Sequence, residues 1–337
     1  MRLATYNVEW FAELFDRDDE ILVDDEPSGR EGVTRARQVE ALGIVFTAMD
    51  ADAVMIIEAP NTGRRQDTVR ALERFARAFD LRTRSVAMGF ANETHQEIAM
   101  LYDPDRLTAR HDPKGDATGK KGSREAPRFD GVFRIDLDID GTEDLVTFSK
   151  PPLELDVTTA QGTHLRIIGA HLKSVAPYGE KTRDGMIRAA IANRRKQLAQ
   201  AIWLRARIDA HLAAGEPVIL MGDLNDGPGL DEFEELFGRS SVEILLGDDL
   251  FDPHARRAVQ PCPGAVPTTA RFRIPDQEQY LEALLDYIMI SQDLMSRRPE
   301  WRIWHPLDNE RCWRVPELRE ALLAASDHFP VTLDIEI

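Results

Sequence analysis

Three short apolar runs in this chain each end in residues that can do chemistry. The stretch from Pro217 to Gly222 leads into Asp223-Leu224-Asn225-Asp226. An unbroken apolar run of this length reads as a strand covered on both faces. With period-2 alternation, Asp223 and Asn225 emerge on one side at the strand's carboxyl end. A carboxylate and an amide converging there suit a metal-bound water or a phosphate. On this stretch alone, an Asx-turn in which both side chains cap their own backbone is an equal alternative. Ala53-Val54-Met55-Ile56-Ile57 delivers Glu58 in the same way, just before Pro60 stops the ladder. Leu165 to Ala170 runs into His171-Leu172-Lys173, so that His171 and Lys173 point the same way.

Other elements must hold these ends together. Leu3 to Trp10 reads as a first strand with Asn7 as its odd polar residue, and residues 12 to 32 read as a polar loop. Val33 to Met49 repeats Val39, Leu42 and Phe46 at helical spacing, and Gln66 to Phe79 turns Val69, Leu72, Phe75 and Ala76 inward. Strands follow at Arg84–Met88 and Glu97–Tyr102, with His95 as a loop histidine. Lys114 to Arg128 lacks periodicity and reads as a long loop of the kind that is often functional or disordered. Val132 to Ile139 alternates and turns at Asp140-Gly141 toward Leu145–Ser149, an antiparallel hairpin. Asp184 to Ala214 reads as a long helix packed through Ile187, Ile191, Leu198, Ile202 and Ile208, leaving Arg188 and Arg195 on another face. Leu230 to Phe237 reads as a short helix, Asp286 to Ile290 as a strand, and Phe329 to Ile335 as the last strand, preceded by Ser326-Asp327-His328. No repeat and no linker is visible, so one domain over residues 1–337 is expected.

Composition bounds the function. The chain has 337 residues, 43% of them hydrophobic, enough to bury a sizeable core. No apolar run approaches the roughly 18 residues of a membrane span. The polar start at Met1-Arg2-Leu3-Ala4-Thr5-Tyr6-Asn7 does not suit a secretory segment, so a cytoplasmic protein without a membrane partner is expected. Cys262 and Cys312 are too few for a disulfide framework or zinc cluster and are read as reduced. The net charge of −17 opposes non-specific binding to polyanions. The distribution softens that opposition: residues 173–207 carry nine basic residues against two acidic ones, and all seven lysines lie between Lys114 and Lys196. Such a run is most often a solvated helix face, but here it follows His171.

Taken together, Thr5-Tyr6-Asn7, Ile57-Glu58, His171-Leu172-Lys173-Ser174, Gly222-Asp223-Leu224-Asn225, Asp286-Tyr287 and Ser326-Asp327-His328 resemble the endonuclease/exonuclease/phosphatase superfamily in their order and placement. The resemblance spans nearly the whole chain. It implies a deoxyribonuclease I-like α/β (α+β) fold, a four-layer sandwich of two mixed β-sheets packed face to face with helices outside. It also implies a divalent cation in a cleft at one end, magnesium with manganese as a substitute. Under this resemblance Asn7 and Glu58 are the metal-side pair with Asp327 close by, which suits a cation that prefers oxygen ligands. Asp223 orients or deprotonates the attacking water and Asn225 helps hold it. His171 and His328 flank the phosphoryl oxygens, and Asp286 partners His328. Ile57 stands where many relatives have Gln, a departure of small consequence because its side chain points away from Glu58.

Ser149-Lys150-Pro151-Pro152-Leu153 resembles the phosphate-contacting segment of nuclease-like members, with Lys150 where Arg is usual. Lys173, Arg188 and Arg195 complete the candidate substrate contacts. The implied activity is phosphodiester hydrolysis of the bacterial nuclease or phosphodiesterase type, with DNA as one candidate substrate. The alternatives are hydrolysis of a small phosphate ester and a phosphate-binding pseudoenzyme; no protein partner is implied.

Overall fold

The computed structural model describes residues 1–137, 143–177, 179–180, 182–229, 234–260, 266–274 and 279–337. Two six-stranded mixed sheets dominate it. The first has the order β15 (Glu300–Ile303), β16 (Val331–Asp334), β1 (Arg2–Asn7), β2 (Ala53–Ala59), β4 (Glu97–Tyr102) and β3 (Ser85–Met88). The second has the order β11 (Leu250–Phe251), β14 (Asp286–Ser291), β10 (Val218–Asp223), β9 (His164–His171), β8 (Leu153–Thr159) and β5 (Leu107–His111). Two hairpins stand apart, β6 (Phe133–Ile135) with β7 (Asp144–Val146), and β12 (Ala270–Arg273) with β13 (Tyr280–Ala283).

Each large sheet is built round one parallel pair joined by a helix. α1 (Arg35–Met49) connects β1 to β2 along with the loop before it, and α3 (Arg183–Ala213) connects β9 to β10. The strands flanking these pairs are antiparallel to them. Parallel neighbours therefore present their carboxyl ends at one edge, where the antiparallel neighbours β14 and β16 present their amino ends. The sequence motifs are gathered at that end of the sandwich for this reason.

Alternation along the strands divides the core. Leu3, Met55, Ile57, Ile98 and Met100 of the first sheet face Leu153, Leu155, Ile167 and Ile219 of the second sheet within one buried cluster. The alternate residues Ala4, Tyr6, Val54, Ile56 and Leu101 pack outward under α1, α2 (Thr68–Ala78) and α8 (Pro316–Ala325). On the other side, Leu198, Trp203, Leu204 and Ile208 of α3 and Leu245 of α5 (Ser241–Leu246) cover the second sheet. Helix starts are capped in sequence-readable ways: the Thr182 hydroxyl accepts from Gly185 N at 3.1 Å, and Ser240 and Glu243 form a reciprocal capping box. The shorter helices α4 (Glu234–Phe237), α6 (Pro253–Val259) and α7 (Glu310–Arg314) complete the outer layer.

One expectation changes. The α3 stripe begins later than its periodicity suggests, because Ile187 is exposed on the first turns. The stretch 114–128 is the long loop expected, and it is anchored at its end: Pro127 O accepts from Trp203 Nε1 at 2.8 Å, beyond which Phe129, Phe133 and Phe148 ring the buried indole of Trp203. The turn Asp140-Gly141, Cys262 and residues 230–233 of the expected helix lie outside the described residues, whereas Cys312 is buried and free.

Candidate functional site

β9, β10 and β14 lie side by side, and His171, Asp223 and Asp286 occupy one rung across them. Strand register alone thus assembles a histidine and two carboxylates from positions far apart in the chain. Gly222 permits this spacing: it has φ +143°, and a Cβ there would come within 2.0 Å of Ala170 O on the neighbouring strand. From the facing sheet, Asn7 at the end of β1 donates its Nδ2 proton to Asp223 Oδ2 at 3.0 Å. Asn225, with φ 49° just past the strand, donates its backbone N–H to Asp223 Oδ1 at 2.7 Å and its amide to Leu172 O at 3.1 Å. Asp223 thus forms the Asx-turn with its own backbone, whereas the Asn225 amide reaches across to the end of β9 instead.

His328 enters from the turn before β16. Its Nδ1 lies 2.7 Å from Asp286 Oδ2, and its Nε2 lies 3.9 Å from Asp223 Oδ2. Thr269 fixes the Asp286 carboxylate: its hydroxyl donates to Oδ2 at 2.8 Å and accepts the backbone N–H groups of Leu285 and Asp286, each at 3.0 Å. Burial by itself lowers the His328 pKa, but Asp286, Asp223 and the hydrogen bond that the ring donates to Asp286 outweigh it and hold the ring protonated well above its ordinary range. Burial pushes the Asp223 carboxyl up to about 7, with Asp286 adding to the rise while His328, Asn225 and Asn7 oppose it. His171 behaves oppositely. Burial, then Lys150 and His328, hold it neutral, so its 3.6 Å approach to Asp223 Oδ2 is no ion pair.

Lys150 reaches the site from the segment before β8. Its Nζ lies 2.9 Å from His171 Nε2 and donates to Gln96 Oε1 at 3.0 Å. A lysine donor assigns the acceptor role to Nε2 of the neutral His171 ring. Burial draws Lys150 down to about 8 against the pull of Glu58 and Asp223. Glu58 sits on a β-bulge, where the register of β2 on β4 shifts between Ile57 and Ala59 and its own φ is 60°. The bulge re-aims the carboxylate at the sheet's end, and its Oε2 accepts from Trp10 N at 2.9 Å. Asp327 donates its backbone N–H to Glu9 Oε2 at 2.9 Å, and Glu9 also receives Arg30 at 2.7 Å. Burial and the nearby Asp327 lift the Glu9 carboxyl to about 7, although Arg30 opposes them.

Glu9, Gln96 and Thr269 escaped the sequence reading. Glu9 alone carried a signal, because it stands two residues beyond Asn7 at the exit of the first strand. Gln96 and Thr269 earn their places through partners 54 and 17 residues away. The candidate substrate contacts divide. Lys150 is in the site, and Lys173 is near enough to act electrostatically on it, although its ammonium donates to Ser174 O at 3.1 Å. Arg188 is exposed on α3, and Arg195 is bound to Asp144 of β7 at 2.8 Å. The rest of the basic run is largely structural. Arg194 is fully buried against Asp226 at 2.6 Å, Arg205 pairs with Asp209 and Asp249, and Arg207 lies 3.7 Å from Glu154. Arg183, at the start of α3, is exposed like Arg188.

Asp223, Asp286 and His328 bring ligand-type atoms within 4.8 Å of one another. The 2.7 Å contact to Asp286 and the proton on His328 make this a hydrogen-bonded set, since an imidazolium has no lone pair for a metal. Oxygen donors fit a hard cation better. Asn7 Oδ1, engaged only by the Glu9 N–H at 3.1 Å, and the Glu58 carboxylate are such donors. Asp286 Oδ1 is buried without a hydrogen-bond partner among the described residues, a position that calls for a cation or water nearby.

Two facing mixed sheets, each centred on a helix-linked parallel pair and sharing one polar site at their common end, define a deoxyribonuclease I-like fold. The model of the endonuclease/exonuclease/phosphatase family matches residues 4–328, and the chain belongs to that family. Solved structures of the same fold include an AP endonuclease from Archaeoglobus fulgidus, 10% identical, covering 100% of each chain with a TM-score of 0.55. A family member from Bacteroides thetaiotaomicron is 14% identical over 99% of this chain and 96% of that one, with a TM-score of 0.51. D. rerio TDP2 complexed with a single-strand DNA product is 13% identical over 99% and 97%, with a TM-score of 0.50. No curated protein matches the chain.

Proposed function

We propose that the protein is a divalent-metal-dependent phosphodiesterase that uses an activated water to cleave a phosphodiester bond. The observation that carries this reading is the rung of His171, Asp223 and Asp286, closed by His328 and by Asn7 from the facing sheet. Asn7 and Glu58 would hold the cation, with Asp327 beside them. The cation would neutralise charge on the phosphoryl oxygens.

The chain's own residues do the rest. Asp223, with a carboxyl near neutrality, takes the proton of the attacking water, and Asn7 and Asn225 fix that carboxylate's direction. Water oxygen bonds to phosphorus as the ester P–O bond breaks. His328 has its Nδ1 committed to Asp286 and offers the Nε2 proton to a phosphoryl or leaving oxygen. Neutral His171 and the ammonium of Lys150 face the remaining oxygens, an arrangement that stabilises developing negative charge. The ion-paired arginines of α3 favour a second reading, a small phosphate ester as substrate, because they leave few cations for a long backbone.

One plate tests both readings: a chromogenic diester, a monoester, and single-strand and duplex DNA, each with magnesium, manganese or chelator. Diester hydrolysis should require the metal. Glu58→Ala and Asp223→Ala should each lower turnover by at least about a hundredfold while circular dichroism stays native. Wild-type turnover in either folded variant would overturn the assigned site, and monoester-only activity would select the second reading.

A further inference from the structure

Trp10 is the feature nearest the site that the proposed chemistry leaves unused. Its side chain is 43% exposed, although a free indole at a surface normally buries more of itself. Its backbone is strained: Glu9 and Trp10 are consecutive left-handed residues, with φ 45° and 59°. Neither has a glycine's freedom, and such strain persists only where surrounding contacts impose it. Two contacts do so here. The Trp10 N–H donates to Glu58 Oε2 at 2.9 Å, which fixes the residue one hydrogen bond from a site carboxylate. Gly29 then lies flush against the side chain, so that a Cβ at position 29 would come within 2.4 Å of Trp10 Cβ and 2.9 Å of Cγ.

The loop carrying Gly29 is itself pinned at both sides. Arg30 reaches Glu9 at 2.7 Å, and Glu31 reaches Arg273 of the β12–β13 hairpin at 3.0 Å. That hairpin also borders the site, since Phe272 packs edge-on against the His328 ring at 5.6 Å between centroids. The indole is therefore backed by Gly29 and half exposed, on a residue whose backbone is one hydrogen bond from Glu58 of the proposed site. Phosphate contacts alone cannot readily supply the affinity in a chain of net charge −17 in which Arg194 and Arg195 of α3 are ion-paired. A flat aromatic surface can, because every nucleobase has a face to stack.

We infer that Trp10 is a stacking platform for a base of the substrate, and that the substrate class is a nucleobase-bearing phosphodiester strand. The inference rests on the phosphodiesterase reading for its location, and its test is separable from that reading. Binding of a labelled thymidine oligonucleotide is compared, in chelator, with binding of the same phosphodiester chain carrying abasic tetrahydrofuran residues. The wild-type protein should prefer the base-bearing chain by about five- to a hundredfold.

Trp10→Ala should collapse that ratio toward one, and Trp10→Phe should restore most of it. Gly29→Ala, which keeps the indole but displaces it, should also reduce the ratio. Equal wild-type affinity for both chains, including no measurable binding of either, overturns the inference. So does a Trp10→Ala protein that binds both chains more weakly but with the ratio intact, which is the mark of a merely structural residue. Hydrolysis of the thymidine oligonucleotide with magnesium is scored separately: base-dependent binding without cleavage would sink the phosphodiesterase reading and leave the stacking role standing.

Discussion

At the scale of residues, the site is a set of buried groups whose protonation is set by their partners. His328 and His171 are both buried imidazoles, yet Asp286 holds one charged while Lys150 helps keep the other neutral. A histidine whose pKa is raised in the folded protein keeps its proton below the raised value and loses it as pH climbs through that value. Activity that needs the His328 proton should therefore persist to the alkaline side of the ordinary imidazole range of about 6.5. Asp286→Asn removes the charge and keeps the shape, so the alkaline limb of the pH–rate profile should move to lower pH. The profiles are to be compared at one fixed, saturating metal concentration, because a cation can itself shape that limb. An active Asp286→Asn enzyme whose alkaline limb stayed in place would show that Asp286 does not tune His328.

At the scale of elements, α3 separates two uses of arginine. Arg194 is fully buried and bonded to Asp226, whose second oxygen accepts the Ser241 N–H at the start of α5 at 2.7 Å. Removing one partner of such a pair strands a buried charge. Arg194→Ala should destabilise the protein by about 3–5 kcal/mol in urea unfolding. Arg188, exposed on the same helix, should tolerate alanine within about 0.5 kcal/mol. Similar costs at the two positions would mean that the Arg194–Asp226 pair does not join α3 to α5. The apolar spacing of α3 was readable in the sequence. Which arginines face inward was not, because the long run of alternating basic and small residues fits more than one face.

At the scale of the whole molecule, charge becomes a statement about substrate. With Arg194 and Arg195 of α3 ion-paired, Lys150 and the nearby Lys173 are the cations proposed to meet phosphate. If a single strand is bound, the logarithm of affinity should fall with the logarithm of salt at a slope no steeper than about −2, corresponding to about two or three neutralised phosphates. Titrations of a labelled oligonucleotide across salt concentrations check this; a much steeper slope would reveal an extended basic groove. No described helix is long and apolar enough to cross a membrane.

Much of this protein was legible from local pattern. Strands, helices and their order follow from period-2 and 3.6-residue alternation, because burial of one face is a local requirement written into each segment. The six ordered motifs point to the family that the matched residues 4–328 show. Partner choice lies elsewhere. The bulge that turns Glu58, the approach of Lys150 to His171, the clamp of Thr269 on Asp286 and the ion pairs that disarm the basic run depend on which strands and loops become neighbours. Alternation states only that a residue is inward or outward; what it meets there is decided when two sheets and their covering helices close on one another.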